Sequence, residues 1–326
     1  MYLMSVEEYS KLTVALSPYI SSSDKTFQPI LFQCLQSWDR LKRSVGDEAE
    51  TQEMETRRIE CKEQQLETLP GTVSFFSEGE SNFCSLYIGA PIDHVVEMEF
   101  LYFDVDCADE GAVAILDGWE LDFEIFPSEE DHPHPMSLRY LSFCGKSIPD
   151  ALYTSKQNVA QVQFIVPREG QGFQVKINFN ANYKPCNMLL LTNDYHKITL
   201  RNFGLTKNCS VVSLYAQRVQ LLYVNVGERS KQSLLYQSLQ ESQGGLRTSC
   251  HRGQAEDSVQ LYQGTGVGLS SMKLVLGFCG VRQTVAHRLI KLRCLSSALR
   301  LESSGEYFNV VRFAFMPAEQ EDGTEC

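Results

Sequence analysis

The cysteines are set out in a repeat, and that repeat constrains this chain more than any other feature. Of eleven cysteines, Cys61 and Cys84 stand 23 residues apart, and so do Cys186 and Cys209. Cys107 is followed by Val113-x-Ile115-x-x-Gly118, and Cys250 by Val259-x-Leu261-x-x-Gly264. Each series then reaches a Phe-Cys-Gly triplet, Phe143-Cys144-Gly145 and Phe278-Cys279-Gly280. Each closes on a strand pair, AQVQFIVPREGQGFQVKINF and LRLESSGEYFNVVRFAF. Landmarks that recur in one order mark two copies of a domain. The copies are placed at 60–183 and 184–317, after an N-terminal segment and linker at 1–59 and before a C-terminal tail at 318–326.

The repeat also suggests a pairing. Equal steps make Cys61–Cys84 and Cys186–Cys209 equivalent bridges, with Cys107–Cys144 and Cys250–Cys279 as the second pair of each unit. Cys294–Cys326 would then tie down the tail, leaving Cys34 over. Ten cysteines allow many connectivities, so spacing favours this one without excluding the rest. The cysteines stand singly and none forms a C-x-x-C pair, which argues against a zinc ribbon or a thioredoxin-type site. Spread cysteines point to an oxidising compartment. Asn208-Cys209-Ser210 is an N-x-S glycosylation acceptor, in keeping with that compartment.

Between the cysteines the texture is β. VSFFSEG, VVEMEFLYFDVDC, AQVQFIVP, SVVSLYAQRVQLLYVNV and NVVRFAFM are short runs rich in Val, Ile, Phe and Tyr, separated by turn residues. Many short strands with frequent turns mean a sandwich or a barrel. The expected class is all-β. Leu31, Leu35 and Trp38 recur at helical spacing, so a short amphipathic helix is expected in the N-terminal segment. The charged stretch from Gly46 to Glu60 reads as linker, and the Ser- and Gln-rich stretch from Gly227 to Gly245 as a long loop.

With 41 acidic and 29 basic side chains the formal net charge is −12. A chain this acidic would repel the phosphates of nucleic acid, which argues against that partner. No stretch is apolar for long enough to span a membrane. Residues Met1 to Ser10 hold no apolar run of signal-peptide length. Since the cysteines call for the secretory route, the true N-terminus is expected to lie upstream.

The unit of paired cysteines, V-x-I-x-x-G, F-C-G and closing strand pair resembles a CUB domain, an extracellular two-sheet β-sandwich of jelly-roll type. The likeness narrows at Asp117-Gly118-Trp119, Phe126-Pro127-Ser128, Asp131-His132-Pro133, Arg139-Tyr140, Ser155 to Ala160, Pro185-Cys186-Asn187, Asn208-Cys209-Ser210 and Gly264-Thr265-Gly266. Over about 60–317 these residues resemble the corticotropin-releasing-factor-binding protein family, densely in the first unit and thinly between Gln232 and Thr248. The resemblance implies two tandem CUB-like domains, ten cysteines joined in sequence order, and a secreted protein that sequesters a corticotropin-releasing-factor-like peptide hormone. If the source is an arthropod, the partner implied is its related diuretic hormone.

Several residues invite other chemistry. His132-x-His134 suggests a metal, but Pro133 and Pro135 set an extended loop and no accompanying ligand cluster has known spacing. Glu99, Asp106, Asp109 and Glu110 lie where some CUB domains hold calcium, but the later Ser-Asp is replaced by Val166-Pro167, and calcium needs six to eight oxygens. No metal or cofactor is expected. Gly264-Thr265-Gly266-Val267-Gly268 reads as a turn, since no helix or Lys-Ser/Thr follows to cradle phosphate. No nucleophile has a partner, so no enzyme is expected.

Arg57-Arg58 precedes the first paired cysteine. It reads as a cleavage signal, a solvated pair or a ligand contact. The resembling family carries a basic doublet at the matching place, shifted by one residue, and arginine anchors interfaces well. Arg57 and Arg58 are therefore taken as ligand contacts outside the repeated units, with the peptide groove on the first domain or at the seam. An adhesion or scaffold role for the CUB pair, with no hormone, is the alternative.

Overall fold

The computed structural model describes residues 56–319, apart from 62–64, 81, 151, 229–245, 247–249, 251–256 and 283–288. The expected N-terminal helix, Cys34, Cys326 and nearly all of the Ser- and Gln-rich stretch lie outside the described residues. The regular secondary structure among the described residues is almost all strand, with only two short helical turns.

The first domain contains β1 (Arg57–Arg58), β2 (Gln65–Glu67), β3 (Gly71–Phe76), β4 (Cys84–Gly89), β5 (His94–Asp104), β6 (Ala112–Leu116), β7 (Trp119–Leu121), β8 (Glu124–Phe126), β9 (Tyr140–Phe143), β10 (Tyr153–Thr154), β11 (Val159–Ile165) and β12 (Gly172–Ala181), with one helical turn at Met136–Arg139. The second contains β13 (Met188–Leu190), β14 (His196–Arg201), β15 (Cys209–Ser213), β16 (Gln217–Val226), β17 (Ser258–Gly264), β18 (Lys273–Phe278), β19 (Gly280–Arg282), β20 (Ile290–Leu292), β21 (Ser296–Glu302) and β22 (Val310–Pro317).

Each domain pairs two sheets. In the first the orders are β1-β3-β12-β5-β10 and β2-β4-β11-β6-β9. In the second they are β14-β22-β16-β19, with β20 also on β16, and β13-β15-β21-β17-β18. The second set repeats the first strand for strand over most of both sheets. The repeat extends to an irregularity. The β12–β5 ladder slips between Gln174 and Val175, and the β16–β22 ladder slips at the equivalent place between Leu221 and Tyr223. Such bulges re-aim the side chains beyond them and belong to the fold's design.

The alternating strands bury one face. In the first core Phe173 meets Phe75, Phe100 and Phe164 with ring centroids 5.0 to 6.0 Å apart. Removing such a ring costs about 3–5 kcal/mol in lost burial and cavity. The second core is mostly aliphatic, with Phe278, Phe313 and Phe315. Disulfides Cys61–Cys84, Cys107–Cys144, Cys186–Cys209 and Cys250–Cys279 join the cysteines that the repeat makes equivalent. Cys294 is buried and disulfide-bonded.

The first sandwich begins earlier than the boundary at residue 60. Ile59 is 4% exposed within the first core, and its N–H donates to Ser74 O at 2.9 Å. Burying Ile59 draws the two preceding residues onto β3 as the parallel edge strand β1. The doublet therefore belongs to the sheet and corrects its expected place in a linker.

A third apolar cluster lies between the sandwiches. Tyr87, Trp119, Phe126 and Val159 of the first pack with Leu189, Val212, Val267, Met272 and Ala298 of the second. The Trp119 Nε1–H donates to Ile88 O and Ala160 O at 3.1 and 3.0 Å, so the indole is satisfied inside this cluster.

Candidate functional site

The sheet edge at β1 sets the two arginines apart. Successive residues on a strand face opposite ways. Arg57 Nη2 lies 2.9 Å from Glu67 Oε2 and donates to Leu69 O at 3.1 Å. Its guanidinium covers Gly71, where a Cβ would sit 2.7 Å from Nη1. Among the described residues Arg58 reaches only Glu78, at 3.6 Å, and its side chain is 60% exposed against 34% for Arg57. Arg57 is thus engaged in holding the edge, and Arg58 is free to meet a partner.

Arg58 stands in a shallow cleft with Ile59, Phe75, Phe76, Glu78 and Glu80. Phe76, at the end of β3, pairs with Tyr102 of β5 at 5.7 Å, and both rings are more than a third exposed. Leu101, beside them, is the residue skipped by the ladder slip, and it is exposed too. One guanidinium, two carboxylates and an apolar ridge share this end of the first sandwich. Neither Phe76 nor Tyr102 stands out in the sequence, because both sit in runs of β-formers whose faces cannot be assigned without the bulge.

The seam between the sandwiches is closed by polar clamps around its apolar cluster. Asn158 Nδ2–H donates to Leu189 O, and the Leu189 N–H returns to Asn158 Oδ1, both at 2.9 Å. Arg300 lies 2.7 Å from Asp131 Oδ1, 3.0 Å from Glu130 Oε2 and 2.8 Å from Glu302 Oε1. Burial nevertheless holds the Asp131 carboxyl above the usual range, outweighing the attraction of Arg300. The glycine-rich turn has its use here. The Gly268 N–H donates to Glu124 Oε2 at 2.9 Å, and a Cβ at Gly266 would collide with the same carboxylate. The turn is a cradle for a side chain of the other domain, which the sequence could not reveal because Glu124 lies far away along the chain.

His132 is a buried structural histidine. Its Nε2 lies 3.2 Å from Asp117 Oδ2, and its Nδ1 accepts the His134 N–H at 3.0 Å. Burial works against the Asp117 charge. Hydrogen bonds from His132, the Lys156 N–H and Gln157 outweigh it, so the carboxyl sits below the ordinary range. Arg139, fully buried, donates to Asp117 O at 3.0 Å and Pro127 O at 2.8 Å. Of the acids considered for calcium, Asp106 and Asp109 both pair with Arg168, which follows Val166-Pro167. Glu99 stands apart on β5, opposite Lys176. Glu110 is exposed in the following loop. Among the described residues no three metal-ligating side chains gather. Asn208 Nδ2–H donates to Glu130 O at 3.4 Å, at the rim of the seam.

These features define a tandem, disulfide-stapled β-sandwich protein with an exposed cation–aromatic end on its first domain. Residues 53–181 match the corticotropin-releasing factor binding protein N-terminal domain, and residues 196–323 its C-terminal domain. The chain belongs to the corticotropin-releasing factor binding protein family, a family of binding proteins. It is 29% identical over 280 residues to the corticotropin-releasing factor-binding protein of Rattus norvegicus, covering 86% of this chain and 80% of that one. With the Ovis aries protein of the same name it shares 28% over 272 residues, 83% and 79% of the two chains. Among solved structures, the CUB1-EGF-CUB2 domain of human MASP-1/3 covers 76% of this chain and 99% of its own at 13% identity. The TM-score of that comparison is 0.24.

Proposed function

We propose that this protein is secreted, captures a corticotropin-releasing-factor-like peptide hormone and limits its access to the receptor, without catalysing a reaction. The observation that carries the reading is the match of both halves of the chain, in order, to the two domains of a family whose curated members are named for binding this factor. If the source is an arthropod, the ligand is its corticotropin-releasing-factor-like diuretic hormone.

The peptide docks, in this reading, at the Arg58 end of the first sandwich rather than in the seam, which is already filled by Trp119, Phe126 and their partners. An amphipathic helical peptide presents an apolar face and flanking charges. The Phe76–Tyr102 ridge and the Arg58, Glu78 and Glu80 side chains suit both. Asn208 carries glycan at the seam rim, Cys294 pairs with Cys326, and Cys34 stays unpaired.

Calorimetric titration of the intact protein with a corticotropin-releasing-factor-like peptide tests the reading. Saturable one-to-one binding, with matching loss of receptor activation, is expected. A folded protein that takes up no peptide would leave the adhesion or scaffold role in its place.

A further inference from the structure

We propose that the end of the second sandwich formed by Lys184, Phe203, Leu205, Lys207 and Phe308 is a preformed docking platform for an acidic peptide segment with apolar side chains. The inference is independent of the hormone reading. The platform occupies the position that the repeat makes equivalent to the Arg58 cleft: β14 corresponds to β3, and the Cys186–Cys209 bridge to Cys61–Cys84. Its chemistry is different. Lys184 Nζ and Lys207 Nζ lie 5.5 and 5.3 Å from the centre of the Phe203 ring. Neither ammonium is in ion-pair contact with a carboxylate among the described residues, in a chain of net charge −12. Burial, and then the charge of Lys184, push the Lys207 pKa down. Two like charges held together without a counter-charge are relieved by an arriving anion.

The platform is built rather than fortuitous. Phe203 has φ +55, a conformation that bulky residues avoid, and such strain persists only where the surroundings impose it. Here Asn202, fully buried, imposes it. Its Oδ1 accepts the N–H groups of Gly204 and Asn309, at 3.2 and 2.8 Å. Its Nδ2–H donates to Leu205 O and Tyr307 O, at 3.3 and 2.7 Å. The Lys207 N–H and Thr206 Oγ1–H then bind the neighbouring loop at Ser303 O and Ser304 O, at 3.1 and 2.6 Å. Rigid loops present Leu205 at 57%, Phe308 at 64% and Phe203 at 39% exposure. Ordering cost on binding is correspondingly small.

Two cations among three exposed apolar side chains select the occupant. A sulfated polysaccharide draws on a long basic track and has no use for the apolar side chains. An acidic, apolar peptide uses both, its carboxylates on the ammoniums and its hydrocarbon on Phe308 and Leu205.

The test uses the full chain and a fluorescent hexapeptide alternating glutamate with leucine and phenylalanine, read by anisotropy. The parent should bind it, and bind its glutamine analogue at least ~10-fold more weakly. Lys184→Gln with Lys207→Gln, and separately Phe308→Ser, should each weaken the acidic peptide about tenfold with melting unchanged. Equal binding of the two peptides, or no loss in the lysine variant, overturns the proposal. So does failure of the parent to bind the hexapeptide while it binds a heparin hexasaccharide that the lysine variant does not.

Discussion

The two sandwiches share strand order, the 23-residue spacing of their first disulfide and even the position of a ladder slip, yet their equivalent ends differ. In the first, Ile59 is pulled into the core and drags an arginine doublet onto the sheet edge, where one arginine is neutralised and the other faces Glu78 and Glu80. In the second, the loop before Cys186 carries Lys184 instead, against Phe203 and Lys207. Strand order and bridges are constrained by the cores, because every change there is felt by close-packed neighbours. Loop ends lie outside that constraint and can take different partners on one scaffold.

The first test of the comparison has the largest effect. If the domains are true copies, removing either equivalent disulfide should cost the same. Each closes a 23-residue step, worth about 3 kcal/mol by chain entropy. Cys61→Ala with Cys84→Ala, and Cys186→Ala with Cys209→Ala, should lower the domain stabilities alike in denaturant melts. A difference of more than about 2 kcal/mol between them would show that one bridge also carries strain or docking energy that the other lacks.

A second test sharpens the contrast inside the sandwiches. Asp117 of the first corresponds to Gln263 of the second in the repeated V-x-I/L-x-x-G motif. The folded protein holds the Asp117 pKa below its unfolded value, so its contribution is complete above about pH 4 and is lost as pH falls through the folded pKa. The first domain should therefore lose stability below about pH 4 by a step that the second lacks. Asp117→Asn should cost about 2 kcal/mol near neutral pH, since it removes a counter-charge from the buried Arg139, and should flatten the acid limb. Parallel acid limbs in variant and parent would place the effect elsewhere.

The repeat, the cysteine steps and the β texture carried the fold in advance, because buried period-two faces and bridge spacings are local properties of the chain. The site was legible only in part. Glu124 and Gly266 meet from opposite domains, and no local pattern encodes that contact. Asp131-His132-Pro133 could be recognised as a motif, but not that Asp131 faces Arg300 across the seam while His132 turns inward to Asp117. Arg57 and Arg58 look alike as adjacent basic residues; only the burial of Ile59, a lone apolar residue in a charged stretch, tells which of them faces Glu67.

That distinction gives the smallest stability effect and the sharpest reading of the first domain's end. Arg57 is a third exposed, so screening reduces its ion pair with Glu67, but it also binds two carbonyls and covers Gly71. Arg57→Ala should cost about 1 kcal/mol and free the sheet edge. Arg58 is largely exposed at 3.6 Å from Glu78, and Arg58→Ala should change stability by less than about 0.5 kcal/mol. Peptide affinity should divide the other way. An exposed guanidinium that becomes buried against a ligand can cost ~2 kcal/mol or more when truncated, which is over tenfold in Kd. Removing both arginines at once would mix the two effects, because any loss of affinity could then follow from a frayed edge. Measured singly, by melting and by titration with the peptide, the variants separate them. Arg58→Ala with unchanged affinity would mean that the doublet serves the sheet alone, and the contact would then have to rest on the Phe76–Tyr102 ridge, where Tyr102→Ser is the next substitution to measure.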